Sequence, residues 1–150
     1  MKKKKLYKEE CIFCKFAKGE IKPAIIYENK YVLAFLDINP CGTLEGHTLV
    51  LPKCHRETIE QIDEKNLTEA IKAVKLLVPS IKAISGAEGI NILQNNGKAA
   101  GQYVNHVHFH LIPRKEGDGI YFEEKRRKST PEELKRVAQK ITKELRKTKK

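Results

Sequence analysis

The stretch Asn105-His106-Val107-His108-Phe109-His110-Leu111-Ile112-Pro113 carries three of the five histidines in this 150-residue chain. Its histidines alternate with apolar residues, which is the period of a half-buried strand. Successive side chains of a strand point to opposite faces, so we expect the three imidazoles in a row about 6.6 Å apart. Each buried ring needs partners for two nitrogens, and this requirement indicates a functional site more than a core. Residue spacing alone does not separate a metal site from a histidine that acts on a substrate.

Length and composition predict one intracellular domain. A chain of 150 residues can bury a core without disulfides. No apolar run approaches the ~20 residues of a membrane span. The basic residues 2–5 resemble the start of a signal peptide, but residues 6–10 lack the apolar segment that must follow, so we expect a cytoplasmic protein. In such a chain the four cysteines favour thiols or metal ligands over disulfides.

The net charge of +11 is concentrated at the two ends of the chain. Residues 1–10 contain five lysines against two glutamates, and residues 121–150 contain twelve basic residues against five glutamates. We expect solvated basic ends. Attraction to nucleic acid through these ends is an alternative that we do not favour, because no nucleic-acid-binding module accompanies them.

The motif Cys11-Ile12-Phe13-Cys14 is either a redox pair or half of a zinc site. A redox motif normally follows a strand, and no strand pattern precedes residue 11, so zinc is the preferred interpretation. Two further ligands are then required. The candidates are His47, Cys54, His55 and one histidine of the opening stretch, with Cys41 less favoured.

Apolar periodicity and turn residues predict the remaining elements. We expect a hairpin of strands 25–28 and 31–36, a strand within 46–55 that Pro52 closes, and a strand at 90–94. Asn66 should be the N-cap of a long helix, with Glu69 completing a capping box, and Pro79 should kink or split that helix before Gly86. A last helix over 130–147 has one narrow apolar stripe and basic faces, and we expect it to pack on the domain or on a second subunit.

Two loops contain candidate ligand-binding residues. Asp37 stands where a strand ends, a position that suits a carboxylate that contacts a ligand. The loop 95–102 is rich in small and amide residues and leads into the histidines. There Gly101 permits close approach of backbone to a ligand, and Asn95 and Gln102 offer amide donors for phosphate oxygens.

The pattern His-φ-His-φ-His-φ-φ, where φ is apolar, resembles the histidine-triad (HIT) family. The resemblance extends to residues 11–14, 34–38, 46–53 and 101–102, which match the family's other segments in the same order. It covers about residues 11–114. It is closest to the Hint-like branch, which acts on nucleoside monophosphate amides and esters.

This resemblance implies an α+β HIT-like fold with a five-stranded antiparallel sheet, a long helix and a short N-terminal helix. The C-terminal helix is then an addition to the shared fold. The resemblance also implies a homodimer with a joined sheet. We expect a basic extension at 1–10, a HIT domain at 11–114 and a basic extension with a helix at 115–150.

The resemblance further implies a hydrolase that takes purine nucleotides. His108 would attack the α-phosphorus and form a nucleotidyl-histidine, while His110 would bind a phosphate oxygen. The other nucleotide contacts are then phosphate donors from Asn95, Gly101 and Gln102, a ribose contact from Asp37, and an apolar slot for the base formed by Ile12, Phe13, Phe35 and Ile38. The alternatives are a dinucleoside polyphosphate hydrolase and a nucleotide- or RNA-binding protein without turnover.

The same resemblance implies one structural zinc per chain, held by Cys11, Cys14, His55 and His106. His47 would hold the tautomers of its neighbours. The chain departs from the family at Tyr103, where a small hydroxyl residue is usual, and at Asn105, where an aromatic residue is common. Cys54, next to His55, is a potential competitor for the metal.

Overall fold

The computed structural model describes residues 6–121 and 127–148. Its internal contacts divide the chain into two compact units, with the boundary after Ile120. Within the described ranges, no helix combines the length and the apolar character needed to cross a membrane.

The first unit is an α+β fold built on one antiparallel sheet. The strands are ordered β1-β2-β3-β5-β4. Its elements are α1 (Ile12–Ala17), β1 (Ile25–Glu28), β2 (Val32–Leu36), β3 (Thr48–Pro52), α2 (Glu64–Ser85), β4 (Gly89–Leu93) and β5 (Phe109–Arg114). Two 3₁₀ turns lie at Ile59–Gln61 and Lys98–Ala100. The predicted fold class and all five strands are confirmed.

Both faces of the central strands are covered, which explains their continuous apolar runs. Val32, Ala34 and Val50 belong to a core with the buried stripe of α2, made of Ala70, Ala73, Val74, Leu77 and Ile81. The alternate residues Leu33, Phe35, Leu49 and Leu51 pack with Cys11, Phe13 and Cys14 of the N-terminal segment. The C-x-x-C motif therefore lies on the sheet face opposite the long helix.

Helix α2 differs from its prediction in two respects. It begins at Glu64, because Asp63 is the N-cap and its Oδ1 accepts the backbone N–H of Asn66 at 3.0 Å. Asn66, predicted to be the cap, is instead the residue that the cap binds. Pro79 does not split the helix, which runs to Ser85. Pro79 and Lys75 are exposed, so the Lys75 carbonyl that Pro79 deprives of a partner lies on the solvent side.

The histidine stretch becomes a strand later than predicted. Strand β5 begins at Phe109, whereas His106 and His108 precede it. The pairing of β3 with β5 ends at Val50 and Phe109. Two residues further on, the partner position in β3 is Pro52, which has no N–H to donate, so the ladder cannot continue through it. His106 N–H instead donates to Val104 O at 2.8 Å, which turns the chain.

The second unit contains the predicted C-terminal helix, α3 (Pro131–Thr148). Thr130 and Glu133 form a capping box: the Glu133 N–H donates to Thr130 Oγ1 at 3.2 Å, and the Thr130 N–H donates to Glu133 Oε2 at 3.0 Å. The apolar stripe of α3, formed by Leu134, Val137, Ile141 and Leu145, is exposed.

The position of the α2 cap gives a stability prediction. Replacing Asp63 with Ala should lower the free energy of unfolding by ~1 kcal/mol, because the first turn of α2 loses a hydrogen-bond acceptor. Urea denaturation monitored by circular dichroism measures this. Thr68→Ala, at an exposed position within the helix, is the control and should change little. Equal stability of Asp63→Ala and the wild type would contradict the assignment of the cap.

Candidate active site and metal site

A cavity of about 730 Å³ opens on the sheet face that carries α1. Its apolar wall includes four residues predicted to form a base slot, Ile12, Phe13, Phe35 and Ile38. Its polar wall contains Asp37, His47, His108 and His110. The structure thus brings together residues that are up to 98 positions apart in the sequence, between Ile12 and His110.

The tautomer of His108 follows from its hydrogen bond to the backbone. His108 Nδ1 lies 2.7 Å from the carbonyl oxygen of His106. A carbonyl oxygen only accepts, so Nδ1 carries the proton and Nε2 carries the free electron pair. Burial lowers the pKa of His108 below its usual value, so the ring is neutral near pH 7. The rings of Phe13 and His108 pack nearly perpendicular to each other, with centroids 5.2 Å apart.

A second chain of hydrogen bonds fixes His47 and His110. The backbone N–H of Cys41 donates to His47 Nδ1 at 2.9 Å, so the proton of neutral His47 is on Nε2. His47 Nε2 lies 3.0 Å from His110 Nδ1 and donates to it. The proton of neutral His110 is therefore on Nε2. Burial, followed by the neighbouring rings of His108 and His47, lowers the pKa of His110 to about 4.

Asp37, His47 and His110 have potential ligand atoms within 4.8 Å of one another, as a metal site would require. The hydrogen bonds argue against a metal here. His47 Nε2 bears a proton as long as Cys41 N–H occupies Nδ1, and a protonated ring nitrogen has no electron pair for a cation. We therefore describe these residues as a hydrogen-bonded chain.

A separate group of four side chains has the chemistry and spacing of a zinc site. The ligand atoms of Cys11, Cys14, His55 and His106 all lie within 4.8 Å of one another. His106 Nδ1 lies 3.5 Å from Cys11 Sγ and 3.7 Å from Cys14 Sγ, and His55 Nδ1 lies 3.3 Å from Cys14 Sγ. Tetrahedral zinc with ordinary bond lengths places sulfur and nitrogen ligands about 3.6 Å apart.

The surroundings of this group prepare it for a cation. His106 Nε2 lies 2.8 Å from Pro52 O and donates to it, which leaves the electron pair on Nδ1 facing the two sulfurs. The backbone N–H of Lys8 donates to Cys14 Sγ at 3.3 Å. Burial raises the pKa of the metal-free Cys14 thiol to about 11, so a bound cation would have to displace its proton. The residues fit a structural metal.

The other metal candidates lie outside this group. Cys54 is buried but supplies no atom to it. Cys41 and His47 line the cavity instead. Of the ligands that the sequence left open, the structure groups His55 and His106 with the C-x-x-C motif.

The predicted phosphate donors are placed differently. Asn95, Gly101 and Gln102 do not line the cavity. Gln102 Nε2 donates to Glu57 O at 2.7 Å and to Val104 O at 3.1 Å, while its Oε1 accepts from Gly97 N at 2.6 Å. The Gly101 N–H donates to Lys98 O at 3.0 Å. Gln102 thus holds the loop against the segment before the histidines, and phosphate contacts from these residues stay a prediction.

The cavity also has lining residues that the sequence analysis did not single out. They include Phe16, Ile21, Lys22, Leu36 and Leu49. Phe16 follows Phe13 by three residues on α1, and this spacing on one helix face was an available signal. The others are apolar or exposed residues of ordinary appearance, and only the folded chain groups them.

Known proteins share this architecture. The HIT domain family model matches residues 18–117. An uncharacterized HIT-like protein from Methanocaldococcus jannaschii is 54% identical over 109 residues, which cover 73% of this chain and 82% of that protein. Adenosine 5'-monophosphoramidase from Saccharomyces cerevisiae is 47% identical over 106 residues, 71% of this chain and 63% of the yeast protein.

Similarity extends to solved structures. The histidine triad nucleotide-binding protein from Candida albicans superposes with a TM-score of 0.83 at 36% identity and covers 93% of this chain and 99% of its own. The family match spans the sheet, α2 and the histidine segment. The chain therefore belongs to the HIT domain family.

Proposed function

We propose that this protein is a nucleotide hydrolase that cleaves nucleoside 5'-monophosphate amides or esters through a covalent nucleotidyl-His108 intermediate. The observation that carries the proposal is the hydrogen bond from His108 Nδ1 to His106 O, which leaves the electron pair on the other ring nitrogen in a cavity-lining histidine. A neutral imidazole with a fixed free electron pair is a competent nucleophile near pH 7. The phosphoramidase activity of the yeast relative supports the choice of reaction.

The reaction proceeds in two displacements at phosphorus. His108 Nε2 forms a bond to the α-phosphorus as the bond to the amine or alcohol breaks, and the leaving group takes a proton from solvent. Water then attacks the same phosphorus, the bond to His108 breaks, and the proton that water loses returns to solvent. The nucleoside monophosphate is released and the free ring is restored. His110, with its proton on Nε2, donates to a phosphate oxygen in both steps.

The nucleoside half of the substrate would occupy the wall on the α1 side. Asp37 Oδ1 already accepts from Asn39 N at 2.9 Å, and Oδ2 is the oxygen we assign to the ribose hydroxyls. The apolar slot of Ile12, Phe13, Phe35 and Ile38 would hold the base. Ile38 is 89% exposed at the rim, so covering it with a purine ring removes apolar surface from water.

We infer that the metal of the Cys11, Cys14, His55 and His106 group is zinc, one per chain. Two thiolates and two imidazoles are a closed tetrahedral set, typical of structural zinc. When bound, zinc supplies a cross-link between the N-terminal segment and the histidine segment. These ligands fix His106, whose carbonyl holds the nucleophile in its tautomer.

We further infer a homodimer that joins two sheets at β4. This strand lies at the end of the strand order and has β5 as its neighbour. Its Ile92 is exposed, and so are Leu76 and Ile84 of α2. An edge strand with apolar neighbours is a template for pairing with a second chain.

The lining of the cavity favours a single α-phosphate over a polyphosphate chain. Among its described lining residues, Lys22 is the lone lysine or arginine. Dinucleoside polyphosphates carry several anionic groups beyond the α-phosphate, and these need cations. The basic charge of the chain is concentrated in residues 1–10 and 121–150, and none of the described lining residues comes from these ranges. Nucleic-acid binding is therefore not the function we favour.

We retain the predicted location and domain limits as parts of the proposal. All four cysteines are free, which suits a reducing cytoplasm. The HIT domain is assigned to residues 11–114, with basic extensions on both sides.

The nucleophile assignment predicts a separation of turnover from binding. His108→Ala should lower kcat for an adenosine phosphoramidate by about 10³-fold or more, because the covalent route is lost. The Kd for AMP, measured by calorimetry, should stay within about threefold of wild type, since the remaining cavity is intact. Mass spectrometry under non-acidic conditions after a brief substrate pulse should find one nucleotidyl group on His108. Turnover without such an adduct would refute the mechanism.

The metal assignment predicts about one zinc per chain in protein purified without chelators, and its loss in Cys14→Ser. Cys54→Ser is a matched control at a buried thiol outside the group and should keep its zinc. Elemental analysis measures both. Zinc that survives Cys14→Ser but disappears in a His108→Ala, His110→Ala double variant would place the metal in the cavity instead.

The proposal that the substrate carries a single α-phosphate predicts a higher kcat/KM for an adenosine phosphoramidate than for diadenosine tetraphosphate. Tyr103, 97% exposed at the cavity rim, is the residue that we expect to influence this ratio. Tyr103→Ser should change the ratio while leaving AMP affinity unchanged, because the change lies on the leaving-group side. A higher kcat/KM for the polyphosphate in the wild type would favour the alternative activity.

A further inference from the structure

The turn after β5 is held by a dense set of hydrogen bonds. Arg114 Nε donates to Asp118 Oδ2 at 2.6 Å, and Arg114 Nη2 donates to Asp118 Oδ1 at 2.9 Å. The same Nη2 donates to Ile120 O at 2.7 Å, and Nη1 donates to Asn91 Oδ1. Asp118 also accepts from the backbone N–H groups of Lys115 at 3.2 Å and Ile120 at 3.0 Å. A bidentate pair with these extra bonds fixes the position of Ile120.

Ile120 packs directly on the backbone of Gly42. A Cβ built on Gly42 would lie only 2.6 Å from Ile120 Cδ1, so the isoleucine occupies the space where a side chain would stand. Gly42 has a φ of +76°, which also favours glycine. The contact therefore joins the turn after β5 to the loop between β2 and β3.

The loop between β2 and β3 contains the first donor in the series of hydrogen bonds that runs from Cys41 through His47 to His110. Cys41, next to Gly42, donates its N–H to His47 Nδ1 at 2.9 Å. Other hydrogen bonds hold this loop: Asn39 N–H donates to Asp37 Oδ1 at 2.9 Å, Thr48 Oγ1 donates to Gly46 O at 2.9 Å, and Asp37 N–H donates to His47 O at 2.9 Å. None of these bonds involves Cys41 or Gly42, whereas the His47 ring contacts the Cys41 N–H and Ile120 packs on Gly42.

We propose that Ile120, held by the Arg114–Asp118 pair, is a positioning residue for the reaction. By packing on Gly42 it keeps the Cys41 N–H on His47 Nδ1, and so keeps the proton of His47 directed at His110. His110 then presents its own Nε2 proton to phosphate. Neither Ile120 nor Arg114 lines the cavity, so the effect passes through the loop. The inference rests on the proposed function for its effect on rate, but the tautomers can be measured without substrate.

The test compares Ile120→Ala with Ile62→Ala in the full chain. Ile62 is also half-buried and packs on the α2 side of the core, which makes it a matched control for lost packing. We expect Ile120→Ala to lower kcat for an adenosine phosphoramidate about tenfold or more, because small displacements of catalytic groups have large effects. AMP affinity should change less than kcat. Ile120→Leu, which keeps the side-chain volume, should restore most of the rate.

The readout specific to positioning is ¹⁵N NMR of the histidine rings. Ile120→Ala should replace the single tautomers of His47 and His110 with mixtures, whereas Ile62→Ala should leave them unchanged. Asp118→Asn provides a second variant and should act in the same direction by loosening the turn. Unchanged tautomers in both variants, with kcat no lower than in Ile62→Ala, would overturn the proposal. Absence of turnover in the wild type would refute the proposed function, while the tautomer comparison would still test this inference.

Discussion

The hydrogen bond from His108 Nδ1 to the carbonyl of His106 is the constraint on which the site depends. It exists because the chain joins the sheet only at Phe109. If the pairing of β3 with the histidine segment continued, the backbone carbonyls near His106 and Pro52 would accept hydrogen bonds from the neighbouring strand. Pro52, which lacks an N–H, ends that ladder, and its carbonyl accepts from His106 Nε2 at 2.8 Å. Backbone groups released from the sheet thus set the tautomers of two histidines, one facing the metal group and the other the cavity.

The two faces of the sheet carry different parts of the molecule. Its α2 face contains an apolar core, whereas the opposite face carries the C-x-x-C motif, the cavity wall and the histidines. His106 belongs to the group of potential metal ligands and His108 lines the cavity, yet only Val107 separates them, so a cation that fixed His106 would also fix the peptide that orients His108. The proposed metal site and the proposed nucleophile therefore share one short segment.

Much of this arrangement could be predicted from the sequence because it depends on local patterns of residues. Apolar segments bounded by turn residues predicted four strands, and the alternation of the histidine stretch predicted the fifth. Helical spacing predicted α2 and α3, and the resemblance to the HIT family identified the four potential metal ligands that the structure brings together. Features that depend on long-range partners could not be predicted. Asp63 and Asn66 are both suitable cap residues in the sequence, and only the structure distinguishes them. The hydrogen bonds of the Gln102 amide to Gly97, Glu57 and Val104 have no signal in the sequence. The contact of Ile120 with Gly42 joins residues 78 positions apart.

The most direct test of this account is ¹⁵N NMR of the His108 ring in the substrate-free, zinc-loaded protein at pH 7. Fixed by the His106 carbonyl, Nδ1 should be protonated and Nε2 should carry the electron pair, in a single neutral tautomer. That result would show that the nitrogen proposed to attack phosphorus is free of a proton before substrate arrives. A proton on Nε2, or a mixture of the two tautomers, would contradict the claim that the backbone orients the attacking nitrogen.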